Sequence, residues 1–206
     1  MDMIPENNSL LLIGTLAGRP AYSHAGRGSE FWQFPLSVLR LSGTADLLNV
    51  LARRELLEQL PLCEGDKLLV RGELRSFNNR RGEGAKLVIT AWAKQLQLCD
   101  GEDENELSLL GTLCKAPNLR QTPLGRDICD LMLAVNRHYG RSDYLPCICW
   151  GALAREASGW RVGDKLRIRG RVQSRRYLKL TDEGCIERTA YEVSVIAAAL
   201  YEGEKV

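Results

Sequence analysis

An all-β chain of two tandem five-stranded barrels, with short helices between strands, is what this sequence predicts, and three features predict it. The run Gly65-Asp66-Lys67-Leu68 leading to Arg71-Gly72 recurs as Gly163-Asp164-Lys165-Leu166 leading to Arg169-Gly170. Around it, Leu12-Ile13-Gly14-Thr15-Leu16 recurs as Leu109-Leu110-Gly111-Thr112-Leu113, with Pro20 and Pro117 shortly after, and Leu36 to Arg40 recurs as Leu133 to Arg137. The pairs Leu36/Leu133 and Asp46/Asp143 stand 97 positions apart and the Gly-Asp-Lys runs 98. One single-residue adjustment between two copies marks the duplication of a domain of about a hundred residues. Third, Leu166, Ile168 and Val172 alternate with Arg167, Arg169, Arg171 and Gln173, the period of a half-buried strand with its guanidinium groups on the outer face. Gly170, in mid-run, marks a corner or a close backbone approach.

In chain order, Asn8 to Leu16 is the first strand, Ala17 to Glu30 a turn-laden connection, and Phe31 to Leu41 the second strand. From Asp46 to Leu62 a strand competes with a helix running through Glu58, because Leu47, Leu48, Leu51, Leu56, Leu57 and Leu60 fit helical spacing as well. The Gly65 strand, a hairpin tip at Asn78 to Gly82, and a last strand from Ala85 to about Leu98 complete residues 1–98 as the first domain. Residues 99–105, CDGEDEN, form an acidic linker. In residues 106–206 the order repeats: strand Glu106 to Leu113, connection Lys115 to Gly125, strand Arg126 to Arg137, loop His138 to Asp143, strand Tyr144 to Trp150, a helix opening at Gly151, the Gly163 strand, a tip at Thr181 to Gly184, and strand Thr189 to Leu200. Five strands with a helix between the third and fourth is the order of an OB-fold, a Greek-key barrel that often binds oligonucleotides.

Composition narrows the function classes. The net charge of +2 is unevenly spread: residues 1–105 carry 12 Lys and Arg against 14 Asp and Glu, and residues 106–206 carry 16 against 12. A polyanion is therefore expected to meet mainly the second copy. No apolar run reaches the length of a membrane span, and the start MDMIPENNS lacks the parts of a signal peptide, so the expected location is the cytoplasm, with no membrane partner. The seven cysteines contain no CxxC pair, and with only His24 and His138 to assist them no metal site is expected; Cys147 and Cys149 read as reduced thiols filling a core. Gly26-Arg27-Gly28 and Gly82-Glu83-Gly84 lack the remaining residues of a dinucleotide or phosphate loop, and neither histidine has an evident nucleophile beside it, so neither catalysis nor a cofactor is expected.

In the second copy, LLGTLCKAPNLRQTPLG, LAVNRHYG, YLPCICWGALA and GDKLRIRGRVQSRRY, in that order and spacing, resemble the bacterial single-stranded DNA-binding protein family across nearly all of residues 106–200. The resemblance implies sequence-independent binding of single-stranded DNA (with RNA left open) in replication, recombination or repair, and association with the nucleoid. It implies that bases stack after the second strand, at both ends of the third and at the end of the fourth, which here hold Tyr139, Tyr144, Trp150 and Tyr177. The chemistry agrees independently, since every base offers a π-face to an aromatic ring while cations track the phosphates. Arg137, Arg141, Arg167, Arg169, Arg171, Arg175 and Arg176 are the candidate cations, and Trp150 is the aromatic whose competing role is in the core.

The first copy departs from this pattern, with Ser42, Leu47, Arg53 and Asn79 at the corresponding places and only Phe77 nearby. The second copy is therefore expected to be the main binding surface. The family commonly ends in an acidic recruiting tail, whereas this sequence ends YEGEKV, so tail-dependent recruitment is not expected. Apolar residues in Leu10 to Leu16 and Leu107 to Leu113 exceed what one barrel face consumes, which predicts a homodimer with four barrels. The competing class is a protein-interaction scaffold, or an accessory replication-restart protein, whose OB-folds bind nucleic acid weakly.

Overall fold

In the computed structural model, which describes residues 7–26, 28–79, 86–137, 140–181 and 184–202, each copy of the repeat closes into a barrel. The first consists of β1 (Asn8–Leu16), β2 (Ala21–Gly26), β3 (Ser29–Leu39), β4 (Ala45–Arg53), helix α1 (Arg54–Glu58), β5 (Lys67–Asn78) and β6 (Leu87–Leu98). The second consists of β7 (Glu104–Leu113), β8 (Asn118–Gln121), β9 (Asp127–Asn136), β10 (Ser142–Trp150), helix α2 (Ala152–Ala157), β11 (Lys165–Thr181) and β12 (Gly184–Leu200). Neighbouring strands run β2-β3-β4-β6-β5-β1 in one copy and β7-β11-β12-β10-β9-β8 in the other. Closure comes from β1 pairing β3 at Leu16↔Leu36 and β7 pairing β9 at Leu113↔Leu133. These are the two OB-folds that the element order predicts.

The alternation read from the sequence is what fills each interior. Leu166 and Ile168 are fully buried while Arg167 and Arg169 stand outside, and Leu68 and Val70 do the same in the first copy. The Gly-Asp-Lys run recurs because both copies need the same turn. Gly65 and Gly163 have φ of 95° and 99°, where a side chain would be strained. Their amides donate to the carbonyls of Leu16 and Leu113 (2.9 Å each), and the amides of Leu16 and Leu113 donate back to Asp66 and Asp164 (2.8 and 2.9 Å). The aspartates finish the turn, Asp66 accepting from the Cys63 amide and Asp164 from the Arg161 amide.

Two expectations change and one left open is settled. Ala17 to Glu30 and Lys115 to Gly125 are not plain connections: each contains a strand, β2 against β3 and β8 against β9. Cross-strand pairs stabilise them, Tyr22 against Trp32 in the first and Arg120 forked onto Asp130 in the second. From Asp46 onward the strand prevails over the helix, which is limited to Arg54–Glu58. β4 is paired on both sides, antiparallel to β3 and parallel to β6, and its buried Leu48, Val50 and Ala52 follow a period of two. The tip at Asn78 to Gly82 lies largely outside the described residues, although the Asn79 amide closes its base on Lys86 (2.7 Å).

The described residues divide into two compact units. One contains Met1–Ser9, Leu107–Val172 and Glu192–Val206; the other contains Leu10–Glu106 and Gln173–Tyr191, so the outer hairpin of β11 and β12 groups with the first barrel. Within that second unit Asp103 of the acidic segment 99–105 accepts from the Leu39 amide and pairs with Lys67. Cys147 and Cys149 are buried with free thiols, and burial pushes the Cys149 thiol up to about 12 and raises Cys147 as well, which keeps both protonated and unreactive. Among the described residues no helix is long and apolar enough to cross a membrane.

A Cβ on Gly170 would collide with the carbonyl oxygen of Ser194 on β12, and one on Gly72 with that of Trp92 on β6. Gly170→Ala should therefore destabilise the chain by about 1–3 kcal/mol. Gly26→Ala, with open space around it, should not. Equal melting temperatures for the two variants would refute the close approach.

Candidate nucleic-acid interface

Among the described residues of the second barrel, the outer face of β10 carries the most exposed aromatic side chains. Strand alternation sends Leu145, Cys147 and Cys149 inward and Tyr144, Pro146, Ile148 and Trp150 to the opposite face, where Ile148 is covered and the two aromatics are exposed. Tyr144 is 48% and Trp150 40% exposed, so Trp150 is a surface residue and its competing core role is not the one taken. Six residues of strand separate them, about 20 Å. Met132 and Ala134 on β9 face Pro146 and Tyr144 across the sheet and continue the surface. At its edge Asp130 holds Arg120 through two hydrogen bonds of 2.6 and 3.0 Å, raising that guanidinium's pKa.

The expected cations separate into held and open groups. Arg137 is forked onto Asp143, whose carboxylate is 1% exposed; its Nε donates at 2.7 Å and its Nη2 donates to the other oxygen. Arg40 and Asp46 repeat this pair in the first barrel at 2.7 and 2.6 Å. Arg137 thereby orients the turn that carries the exposed Arg141, and its amide donates to the Arg141 carbonyl (2.7 Å). Tyr139, with His138, lies outside the described residues. On β11, Arg167 and Arg169 are exposed and Arg171 half-buried on one outer face, with Arg167 stacked 5.2 Å from the Tyr201 ring centre.

Tyr177, Arg175 and Arg176 belong to the outer hairpin and thus to the unit that contains the first barrel. Tyr177 is 37% exposed and Arg175 lies 5.7 Å from its ring centre, while Arg176 stands 3.8 Å from Glu187 on the opposite arm. The hairpin is anchored in that unit by Asp46, which accepts from the Ser174 amide (2.6 Å) and hydroxyl (3.2 Å) in addition to Arg40. Phe77, at the end of β5, is half exposed.

Two groups of aromatics in the first barrel escaped the sequence comparison. Tyr22 and Trp32 meet edge-on at 6.2 Å, and His24 stacks on Phe31 at 4.9 Å, which in turn meets Trp92 at 5.1 Å. None occupies a position aligned with the second copy's stacking set. The signal for them was present as aromatics at Phe31, Trp32 and Trp92, but only the partnering of β2, β3 and β6 shows that they converge.

The profile of the single-strand binding protein family matches residues 104–201. These residues belong to that family. Among curated relatives, single-stranded DNA-binding protein 2 of Listeria innocua is 34% identical over 80 residues, 35% of this chain and 50% of that one. The single-stranded DNA-binding protein of Oceanobacillus iheyensis is 29% identical over 100 residues, 45% of this chain and 59% of that one. The chain thus spans about half to three fifths of the length of the curated relatives it matches. The crystal structure of the wild-type single-stranded DNA binding protein from Thermus aquaticus matches 97% of this chain and 95% of that one, with a TM-score of 0.78 and 25% identity. The likeness in fold therefore extends over both barrels, and this is a tandem OB-fold protein whose residues 104–201 carry the family match, with Tyr144 and Trp150 inside the matched residues and Phe77 outside them.

The Arg137–Asp143 pair gives this family module a testable dependence. Removing one partner of a buried ion pair leaves the other uncompensated, and Asp143→Asn should cost about 3 kcal/mol of stability, at the lower end of such losses because Arg137 retains some solvent contact. Urea unfolding would measure it; an unchanged midpoint would mean that the pair does not hold the turn.

Proposed function

We propose that this protein binds single-stranded DNA without regard to sequence, in replication, recombination or repair. The observation that carries the proposal is the exposed aromatic face of β10, where Tyr144 and Trp150 stand outside a barrel of the single-strand binding family. Such rings need unpaired bases, because a duplex hides the π-faces on which stacking depends. Tyr139 and Tyr177 extend the stacking set, with Phe77 beyond it. Arg141, Arg167, Arg169, Arg171, Arg175 and Arg176 supply phosphate contacts, and Arg137 positions the turn. The role is binding without catalysis, by domains at 1–98 and 106–206 joined through 99–105, in the cytoplasm at the nucleoid. DNA is preferred over RNA as the partner because the relatives are named for it.

With each stack contributing about 1–3 kcal/mol, Tyr144→Ala with Trp150→Ala should weaken binding to oligo(dT) by about 2–6 kcal/mol if the two act independently. Fluorescence anisotropy against oligo(dT) and a matched duplex tests this, with melting curves to establish that the variant is folded. Affinity for oligo(dT) should exceed that for the duplex and fall with salt by a log–log slope of about −0.7 per phosphate neutralised. Equal binding to both, or no loss in the folded variant, would favour a scaffold that docks proteins.

The assembly proposed is a homodimer carrying four OB-folds. Ile196 and Leu200 on β12 are 72% and 53% exposed on one face, an apolar strip that a second copy would cover. Light scattering should return about twice the 23.0 kDa chain mass; a value at the chain mass would remove the dimer.

A further inference from the structure

β12 ends at Leu200, and the next residue closes the ladder against β11, the Tyr201 amide donating to the Lys165 carbonyl (2.8 Å). That bond sets the half-buried Tyr201 ring beside Arg167, whose guanidinium carbon lies 5.2 Å from the ring centre. Alternation along β11 places Lys165, Arg167 and Arg169 in one exposed row, with Leu166 and Ile168 fully buried between them. The first barrel closes its ladder in the same way, the Cys99 amide donating to the Lys67 carbonyl (3.0 Å). There, however, Cys99 stands in place of Tyr201 and Leu69 in place of Arg167. Ring and cation are thus both present in one copy and both absent from the other.

We infer that Tyr201 is a positioning residue, which holds the Arg167 guanidinium ready for a phosphate of the bound strand. The inference rests on the reading that the chain binds single-stranded DNA, and gives one of its cations a built mount. Other arginines of the second barrel are held by acids: Arg120 by Asp130, Arg137 by Asp143 and Arg155 by Asp127. A carboxylate fixes a guanidinium by neutralising it, and takes up the same forked donors that a phosphate needs. Among the described residues no carboxylate pairs with Arg167. An aromatic face attracts the cation through its quadrupole and accepts none of the N–H groups at the guanidinium edge, so charge and donors both remain for a ligand. An arginine loses rotamer freedom when it grips a phosphate, and one already resting on a ring has less left to lose. Lys165 and Arg169, about 7 Å to either side along the strand, continue the cationic row. Only β12 stands between β11 and the strand that carries Tyr144 and Trp150.

Fluorescence anisotropy of the full chain with oligo(dT), repeated over a salt series, tests the mount. Tyr201→Ala keeps the backbone bond to Lys165, so it should leave the melting temperature unchanged and weaken binding about 2- to 5-fold. Tyr201→Phe, which keeps the ring, should bind within about 2-fold of the original chain. Arg167→Gln should make the log–log salt slope shallower by about 0.7. Adding Tyr201→Ala to Arg167→Gln should weaken binding no further, since a mount without its cation has nothing to place. An equal loss from Tyr201→Ala with and without Arg167 would show the ring acting on its own, and a salt slope unchanged by Arg167→Gln would show that the cation meets no phosphate. Either result, or full affinity in Tyr201→Ala, would overturn the inference and leave single-strand binding standing. Equal affinity of the original chain for duplex and oligo(dT) would instead remove the function and the mount with it. A fall in particle mass in Tyr201→Ala would place the ring in a contact between copies, and the inference would again be wrong.

Discussion

A buried carboxylate gripped by a forked arginine lies at the same point of both barrels, Arg40 on Asp46 and Arg137 on Asp143. It sits where β3 turns into β4 and where β9 turns into β10. In the second barrel the strand leaving Asp143 presents Tyr144 one residue later and Trp150 at its end. A carboxylate with 1% exposure is tolerable only when paired and hydrogen-bonded, so the arginine is committed to structure although its charge alone would suit a phosphate. In the first barrel the corresponding acid does more, since Asp46 also receives the amide and hydroxyl of Ser174 and thereby anchors the hairpin that carries Tyr177.

Close backbone approach is the second constraint. Gly72 and Gly170 occupy the crowded point where β5 and β11 bend against their partners, and in each case a carbonyl oxygen fills the space that a side chain would need. The ladder between β5 and β6 shifts register at Arg71/Gly72, as a strand does when it changes direction around a small barrel. The duplicated Arg-Gly is thus explained by the fold, and the arginine beside each glycine remains on the surface.

Duplication has left the copies with the same frame and different outer faces. The second barrel displays aromatics along one strand, whereas the first gathers His24, Phe31, Trp92 and Arg75 across several. Side chains that point out of a barrel are free to diverge, because the interior fixes only the alternate positions.

Strand identity, the repeat and the OB-fold were legible because alternation and the Gly-Asp turn are local: Leu166, Ile168 and Val172 face the core, and Gly163 adopts the only backbone geometry its turn permits. Tyr144, Trp150 and the open arginines of β11 were legible for the same reason, a period of two that sends them outward. Tertiary structure alone decided which charges are held, since Arg137 and Arg141 look alike until Asp143 closes on one of them. It alone made strands of Ala21–Gly26 and Asn118–Gln121, whose stabilising partners lie on the next strand. It also brought Phe31 and Trp92 together from 61 positions apart. Periodicity along a chain records which face a residue takes; only the pairing of strands, fixed by contacts distant in sequence, determines which residues on that face become neighbours.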